Sequence, residues 1–330
     1  MRPSKSSRST EMTRGEFLTM MAATGIILPT TRLAGMTEKS RPGKGGNLPL
    51  CIFSKHLQFL DYDAMAETAA EIGFDGVDLT VRPGGHVLPE NVERDLPRAV
   101  KAVRQAGLEV NMMTSRITDP DDPQTVSILK TAGRLGIGYY RMGYLKYKEE
   151  LGVVQTLESY KPQLRELAGL NEKYGIHGAY QNHSGTRIGG PVWDVWLLIK
   201  DLDPRWVGCQ YDIRHAVVEG GISWPLGLKL LGSHIKITAI KDFYWAKVDG
   251  VWKVQNCPLG EGMVDFKTYF KMVNELRIEG PVSIHFEYPM PAESEGKLSL
   301  EQRRQKTVTV MKRDLETLRS MLKEAGLVTG

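Results

Sequence analysis

Residues 62–80 read Tyr-Asp-Ala-Met-Ala-Glu-Thr-Ala-Ala-Glu-Ile-Gly-Phe-Asp-Gly-Val-Asp-Leu-Thr, and they hold the unit from which the fold is built. Apolar residues recur at helical spacing over 62–72, Gly73 follows as a terminator, and 76–80 is short and strand-like. The same order returns along the chain. A helix over 92–106 leads through Gly107 into a strand over 108–113, a helix over 123–135 through Gly136 into 139–142, and a helix over 157–174 through Gly175 into 177–182. The second half continues with helices over 192–202, 224–231 and 266–276, strands over 207–211, 234–240 and 281–287, and a long charged amphipathic helix over 300–325. With a first strand over 48–53 the count is eight strands, which predicts a parallel α/β fold, a (β/α)8 TIM barrel. A doubly wound sheet shares the alternation, but no glycine fingerprint follows the first strand, where Ser54-Lys55-His56 stands instead.

The chain has 330 residues, 41% hydrophobic and 25% charged, with a net charge of +4, the balance of a soluble globular protein. Residues 1–45 are different in kind. They open with basic residues through Arg14, pass into an apolar run over 17–28, and end in small residues near Ala34-Gly35. That three-part layout is an export signal, too short for a stable membrane span. Thr13-Arg14-Gly15-Glu16-Phe17-Leu18 resembles a twin-arginine signal in which Gly15 replaces the second Arg. The expectation is an exported, periplasmic protein whose single barrel domain occupies 46–330, with 41–47 as linker. Much of the basic excess lies in the signal, so the near-neutral barrel offers no electrostatic case for a nucleic-acid partner. The three cysteines, Cys51, Cys209 and Cys257, are far apart without metal spacing and read as buried small hydrophobes or loop residues. Nothing in the sequence fixes or excludes a homo-oligomer.

In a TIM barrel, functional side chains crowd the carboxyl ends of the strands. Those ends collect His56, Arg82, His86, Ser115, Arg116, Arg141, Gln181, His183, Asp212, His215, Lys241, Asp242, His285 and Glu287, which include five of the seven histidines. Strand alternation puts Gln181 with His183 on one face, and His285 with Glu287. The stretch Val207-Gly-Cys-Gln-Tyr-Asp-Ile-Arg-His215 is a strand ending in Asp212, a residue suited equally to capping a following helix and to a site. Residues 241–258 read as a long loop with its own hairpin turning at Asp249-Gly250, and Trp245 and Trp252 on it suit a lid over the barrel mouth.

Five motifs in order, Tyr180-Gln-Asn-His-Ser-Gly185, Asp212-Ile-Arg-His215, Ile240-Lys-Asp-Phe243, Leu259-Gly-Glu-Gly262 and Ser283-Ile-His-Phe-Glu287, resemble the xylose-isomerase-like TIM barrels. That group contains sugar phosphate isomerases, ketose 3-epimerases, inosose dehydratases and endonuclease IV. The resemblance covers 48–325. It implies one divalent metal (Mn, Mg, Co or Zn) held by a Glu on strand five, an Asp on strand six, a His on strand seven and a Glu on strand eight. Asp212 and Glu287 match two of these, and His215 matches the substrate-side His three residues after the Asp. Gln181 stands at the strand-five Glu and Ala239 at the strand-seven His. A Gln offers a metal a carbonyl oxygen without charge and an Ala offers nothing, so the expected metal set is Asp212 and Glu287 with Gln181 or a nearby His. The alternative is a metal-free site in which Lys241 or Lys236 supplies a fixed ammonium. The endonuclease reading fails because Val254 and Asn256 occupy the places of its Asp and His ligands.

The function expected is an exported sugar or keto-sugar isomerase or epimerase, or a related lyase, moving a proton next to a carbonyl. Glu287, His215, His183 and Lys241 are its candidate catalytic residues, and Gln181, Arg141, His86, Trp245 and His285 its substrate-binding ones. The alternative is a non-catalytic carbohydrate-binding barrel with a decayed metal site.

Overall fold

The computed structural model describes residues 48–290 and 298–327, so the expected export segment, 1–45, lies outside the described residues. Eight parallel strands close into a barrel: β1 (Leu50–Phe53), β2 (Gly76–Thr80), β3 (Glu109–Thr114), β4 (Tyr139–Arg141), β5 (His177–Gln181), β6 (Val207–Asp212), β7 (Ile235–Ile240) and β10 (Val282–Ile284). Between β7 and β10 the chain inserts a separate antiparallel hairpin, β8 (Asp242–Val248) and β9 (Val251–Cys257). Each barrel strand pairs with its neighbours in chain order, and β10 closes the ring through Leu50↔Val282 and Ile284↔Ile240. The TIM barrel expected from the sequence is therefore the fold.

The helices are α1 (Tyr62–Ile72), α2 (Val92–Gln105), α3 (Pro123–Leu135), α4 (Val153–Tyr174), α5 (Val192–Ile199), α6 (Ile213–Gly220), α7 (Trp224–Leu231), α8 (Phe266–Glu275) and α9 (Leu300–Glu324). Local chemistry sets their ends. The carboxylates of Asp61, Asp122, Asp212 and Asp265 each accept a backbone N–H of the first turn, and Ser299 with Gln302 forms a capping box. Such caps are worth about 1 kcal/mol each. Gly73 and Gly136 end α1 and α3 in the left-handed region, at φ 101° and 81°. Helix α9 packs on both α8 and α1 and so closes the outer layer.

The sequence reading offered Asp212 as the cap of a following helix but gave that helix no range; α6 starts at the residue after β6 and is too short to show a helical period. The hairpin turns at Asp249-Gly250 as expected, with φ of 53° and 80°, the primed geometry that matches strand twist.

The main core lies between the sheet and the helices, where Val77, Leu79, Tyr180 and Tyr211 are buried. Inside the barrel a smaller apolar plug of Met112, Ala179 and Ile237 fills the lumen. Beside this plug the lumen turns polar. Asp78 accepts the Ser283 hydroxyl at 2.7 Å and the Thr114 hydroxyl at 2.9 Å, tying β2, β3 and β10 together.

Asp242, grouped with the site residues by its place in sequence, is instead an anchor. Its buried carboxylate accepts backbone N–H groups from Phe243 at 2.8 Å, Gly260 at 3.0 Å, Gly262 at 2.9 Å and Val264 at 3.2 Å. The Leu259-Gly-Glu-Gly262 turn is wrapped so closely that a Cβ on Gly262 would lie 2.2 Å from the Asp242 carboxylate. Removing the carboxylate strands four backbone donors, of which those of Phe243 and Val264 belong to buried residues. Asp242→Ala is expected to lose about 2–4 kcal/mol in urea unfolding, and Asp242→Asn less; an unchanged midpoint for Asp242→Ala would refute the anchor role.

Candidate active site

Asp212 is fully buried at the junction of β6 and α6. Its Oδ1 accepts the His215 backbone N–H at 3.2 Å, so it caps α6. Its Oδ2 accepts Gln181 Nε2 at 2.8 Å and lies 3.2 Å from Lys241 Nζ. Both readings offered by the sequence, cap and site residue, are therefore true of the same carboxylate. Lys241, one residue past β7, is buried and also reaches Glu287 Oε2 at 3.1 Å. Burial works against the Lys241 charge, but Asp212 and then Glu287 outweigh it and hold its pKa above the ordinary value. Burial likewise opposes the Glu287 charge, and Lys241 and His285 overcome it, holding that carboxyl far below the usual range.

Gln181 is oriented by neighbours that leave no choice. Arg141, which can only donate, gives a hydrogen bond to Gln181 Oε1 at 3.1 Å, and the Tyr144 hydroxyl gives a second. The amide oxygen is thereby occupied and the amide N–H faces Asp212. Asn182, next in sequence but on the opposite face, clamps the backbone of Asp212 in both directions, at 2.8 and 3.0 Å.

The two histidines near this cluster differ in what they leave free. His215 Nδ1 accepts from Arg214 NH1 at 2.9 Å and from the Ser184 hydroxyl at 2.8 Å. Its proton therefore sits on Nε2, which is buried without a hydrogen-bond partner among the described residues, 3.6 Å from Asp212 Oδ2. His183 donates Nδ1–H to the Ser184 carbonyl at 2.9 Å, which leaves its Nε2 lone pair without a partner among the described residues. Its ring lies 3.8 Å from that of His215 and edge-on to Tyr144.

Glu287 also faces a cavity of about 440 Å³ at the mouth, lined in part by Lys55, His56, Asn256 and Arg303. His285 stacks on Phe53 with ring centres 4.4 Å apart, its Nδ1 3.7 Å from Glu287 Oε1.

The structure thus joins Arg141, Gln181, Asp212, His215, Lys241 and Glu287 through contacts, with His183 stacked against His215 and His285 beside Glu287. His86 stands apart, with Nδ1 near the Ser54 and Thr80 hydroxyls at 3.2 and 3.3 Å. Trp245 lies on the hairpin, 40% exposed and edge-on to Phe243, with no contact to the cluster. Sequence reasoning missed Tyr144, Ser184 and Asn182. The runs Arg141-Met-Gly-Tyr144 and Gln181-Asn-His-Ser184, polar residues packed just past a strand, were the available signal.

The donors do not fit the divalent metal that the fold family implies. Asp212 and Glu287, expected as ligands, share an ammonium; the Gln181 oxygen is committed to Arg141 and Tyr144; and Ala239, aligned with Asp212 in the ladder, offers no donor. Among the described residues no group of three His, Cys, Asp or Glu side chains is placed to hold a metal ion.

A model of the xylose isomerase-like TIM barrel family matches residues 66–321. No curated protein sequence matches. Among solved structures, a D-allulose 3-epimerase from Methylomonas sp. in complex with D-allulose is 16% identical with a TM-score of 0.58, covering 83% of this chain and 97% of that one. A 3-keto-D-glucoside 4-epimerase from E. coli is 15% identical with a TM-score of 0.57, over 83% and 100% of the two chains. The probable 3-DHS dehydratase of petrobactin synthesis from Bacillus anthracis is 14% identical with a TM-score of 0.61, over 83% and 99%. At these identities the likeness is one of fold.

Every one of the seven histidines is pushed below its ordinary pKa, with burial the largest cause, and His177 and His183 reach about 4. In the unfolded chain they titrate near 6.5, so unfolding takes up protons below that pH and stability falls as pH drops from about 6.5 toward 4. Asp78, Asp242 and Asp314, raised by burial, act in the opposite sense, three groups against seven. Urea unfolding at pH 7.5 and pH 5 is expected to differ by at least about 2 kcal/mol, less stable in acid; equal or greater stability at pH 5 would contradict the assignment.

Proposed function

The chain belongs to the xylose isomerase-like TIM-barrel family, and from that premise we propose that it is an enzyme moving a proton at a carbon beside the carbonyl of a sugar or keto-sugar. Isomerisation, epimerisation and a related elimination share that step. The observation that carries this reading is the Lys241 ammonium held 3.2 Å from Asp212 and 3.1 Å from Glu287 at the barrel mouth.

Enolising a sugar needs a base for the carbon-bound proton and a positive charge for the oxygen that becomes negative. Lys241 supplies the charge. Asp212, fixed by Gln181 and by the α6 backbone, keeps it protonated as a counter-ion. When Lys241 turns a hydrogen bond from Glu287 to the substrate carbonyl, Glu287 loses the cation that depressed its basicity. It then accepts the carbon-bound proton while the enediolate oxygen remains against the ammonium. The free Nε2 of His183 takes and returns the proton of the neighbouring hydroxyl, and His215 holds Asp212 through its backbone N–H. A second reading, a barrel that binds carbohydrate without turning it over, is favoured by the same Gln181 and Ala239 that depart from the family's ligands.

The signal-like segment over 1–45 supports placing the enzyme in the periplasm, and recovery of the full chain only in the cytoplasmic fraction would refute that placement.

With a panel of keto-sugars in deuterium oxide, the purified protein is expected to introduce deuterium at the carbon beside the carbonyl, equally well with and without a chelator. Lys241→Met should reduce the rate by about 10²–10³-fold and Glu287→Gln at least as much. Absence of exchange with every sugar, with or without divalent ions, would leave the binder; a rate that depends on added metal would remove the role given to Lys241.

A further inference from the structure

Several outer arginines of the barrel meet carboxylates, as in Arg94 with Asp95, Arg205 with Asp203, Arg304 with Glu71 and Arg313 with Asp314. At the mouth, on the side of β2 to β5, a group of four does not. Arg82, Arg116, Arg141 and Arg187 form no ion pair among the described residues, although Asp and Glu are common elsewhere on the surface. The guanidiniums of Arg82, Arg141 and Arg187 are instead held on aromatic and amide partners. Arg141 and Arg187 both lie on the Tyr144 ring, at 5.1 and 4.5 Å from its centre. Arg82 lies 5.5 Å from the centre of the Phe53 ring, whose stacking partner is His285, the neighbour of Glu287. These are near neighbours electrically: burial first, and then the charges of Arg141 and Arg116, pull the Arg82 pKa down against the opposing pull of Asp78.

The opposite side of the mouth is close to balanced. Asp212 and Glu287 are offset by Lys241 and by Arg214, which lies against His215 and Asn256. The positive charge is therefore concentrated on one arc, with the buried Asp78 carboxylate as the opposing charge. Holding like charges together in a partly desolvated rim is unfavourable unless a negative group arrives to join them. A guanidinium kept flat by an aromatic ring presents its N–H edge outward, the fork that fits a carboxylate or phosphate.

Resting on the reading of this mouth as the substrate site, we propose that the substrate is an anionic sugar, whose carboxylate or phosphate, remote from the reacting carbonyl, is received by the arc of Arg82, Arg116, Arg141 and Arg187. The carbonyl end lies at Lys241 and Glu287 and the charged end toward β2 to β5. The arc then selects the substrate class and also fixes which end of the sugar enters first.

Calorimetric titration at constant ionic strength tests this with three probes: D-fructose, D-fructose 6-phosphate and D-fructuronate. At least one anion is expected to bind about 10-fold or more tightly than D-fructose, and the better of the two identifies the charged group. Arg82→Gln and Arg187→Gln should each reduce that preference by about 5–10-fold, while Arg134→Gln, on the outer surface at the end of α3, should leave it intact. Both anions binding no better than D-fructose, no heat with any probe, or an equal loss in Arg134→Gln would overturn the proposal. The outcome is separable from that of deuterium exchange. Exchange with a neutral sugar and no anion preference removes the arc and keeps the reaction; anion preference without exchange does the reverse.

Discussion

Taking Lys241, Asp212 and Glu287 out of water is costly, and their mutual attraction offsets that cost only while the geometry holds and their remaining hydrogen-bonding capacity is met. Much of the polar structure at the barrel mouth serves that condition. Asp212 is met by the Gln181 amide, the His215 backbone N–H and the ammonium. Gln181 in turn is held by Arg141 and Tyr144, and the backbone under Asp212 by Asn182. The carboxylate also sits at the amino end of α6, where the helix dipole favours negative charge. The supports come from several strand ends, β4 through Arg141 and Tyr144, β5 through Gln181 and Asn182, and β7 through Lys241, so a closed barrel is what brings them within reach of one another.

The same arrangement explains how the chain tolerates losing two ligands of the site its family implies. A Glu at position 181 would put a second carboxylate against Asp212, and a His at 239 would crowd the place from which Lys241 approaches. Gln and Ala suit a buried ammonium as Glu and His suit a metal. The substitutions read as one coherent exchange of a cation made of metal for a cation made of side chain.

The barrel was legible because its signals are local and repeated: a helix period, a terminal glycine, a short apolar strand. Strand alternation and position then found Asp212, Lys241 and Glu287. What stayed hidden depended on contacts across the sheet. Gln181 shows its meaning only beside Arg141 and Tyr144, which fix the direction of its amide. Asp242 is next to Lys241 in sequence yet faces the Leu259–Gly262 turn, because adjacent residues leaving a strand point to opposite sides. Helix α6 was masked by its shortness and by the apolar strand that runs directly into it. His86 and Trp245 were placed by sequence position alone, and position at a strand end does not say which way a side chain leaves the rim.

The β8–β9 hairpin joins this machinery by its base. Asn256 accepts from Arg214 at 2.7 Å and donates to the Glu287 carbonyl at 3.0 Å, so one side chain rivets the hairpin to the element carrying Asp212 and to the strand end carrying Glu287. Its outer half, by contrast, displays Tyr244, Trp245, Val251 and Trp252 to solvent. The hairpin is therefore a fixed hinge plate with a free edge: the tip can lengthen, shorten or change its side chains without disturbing the buried charges beneath. That makes it a part of the barrel whose exposed surface can vary while the charges at its base stay as they are.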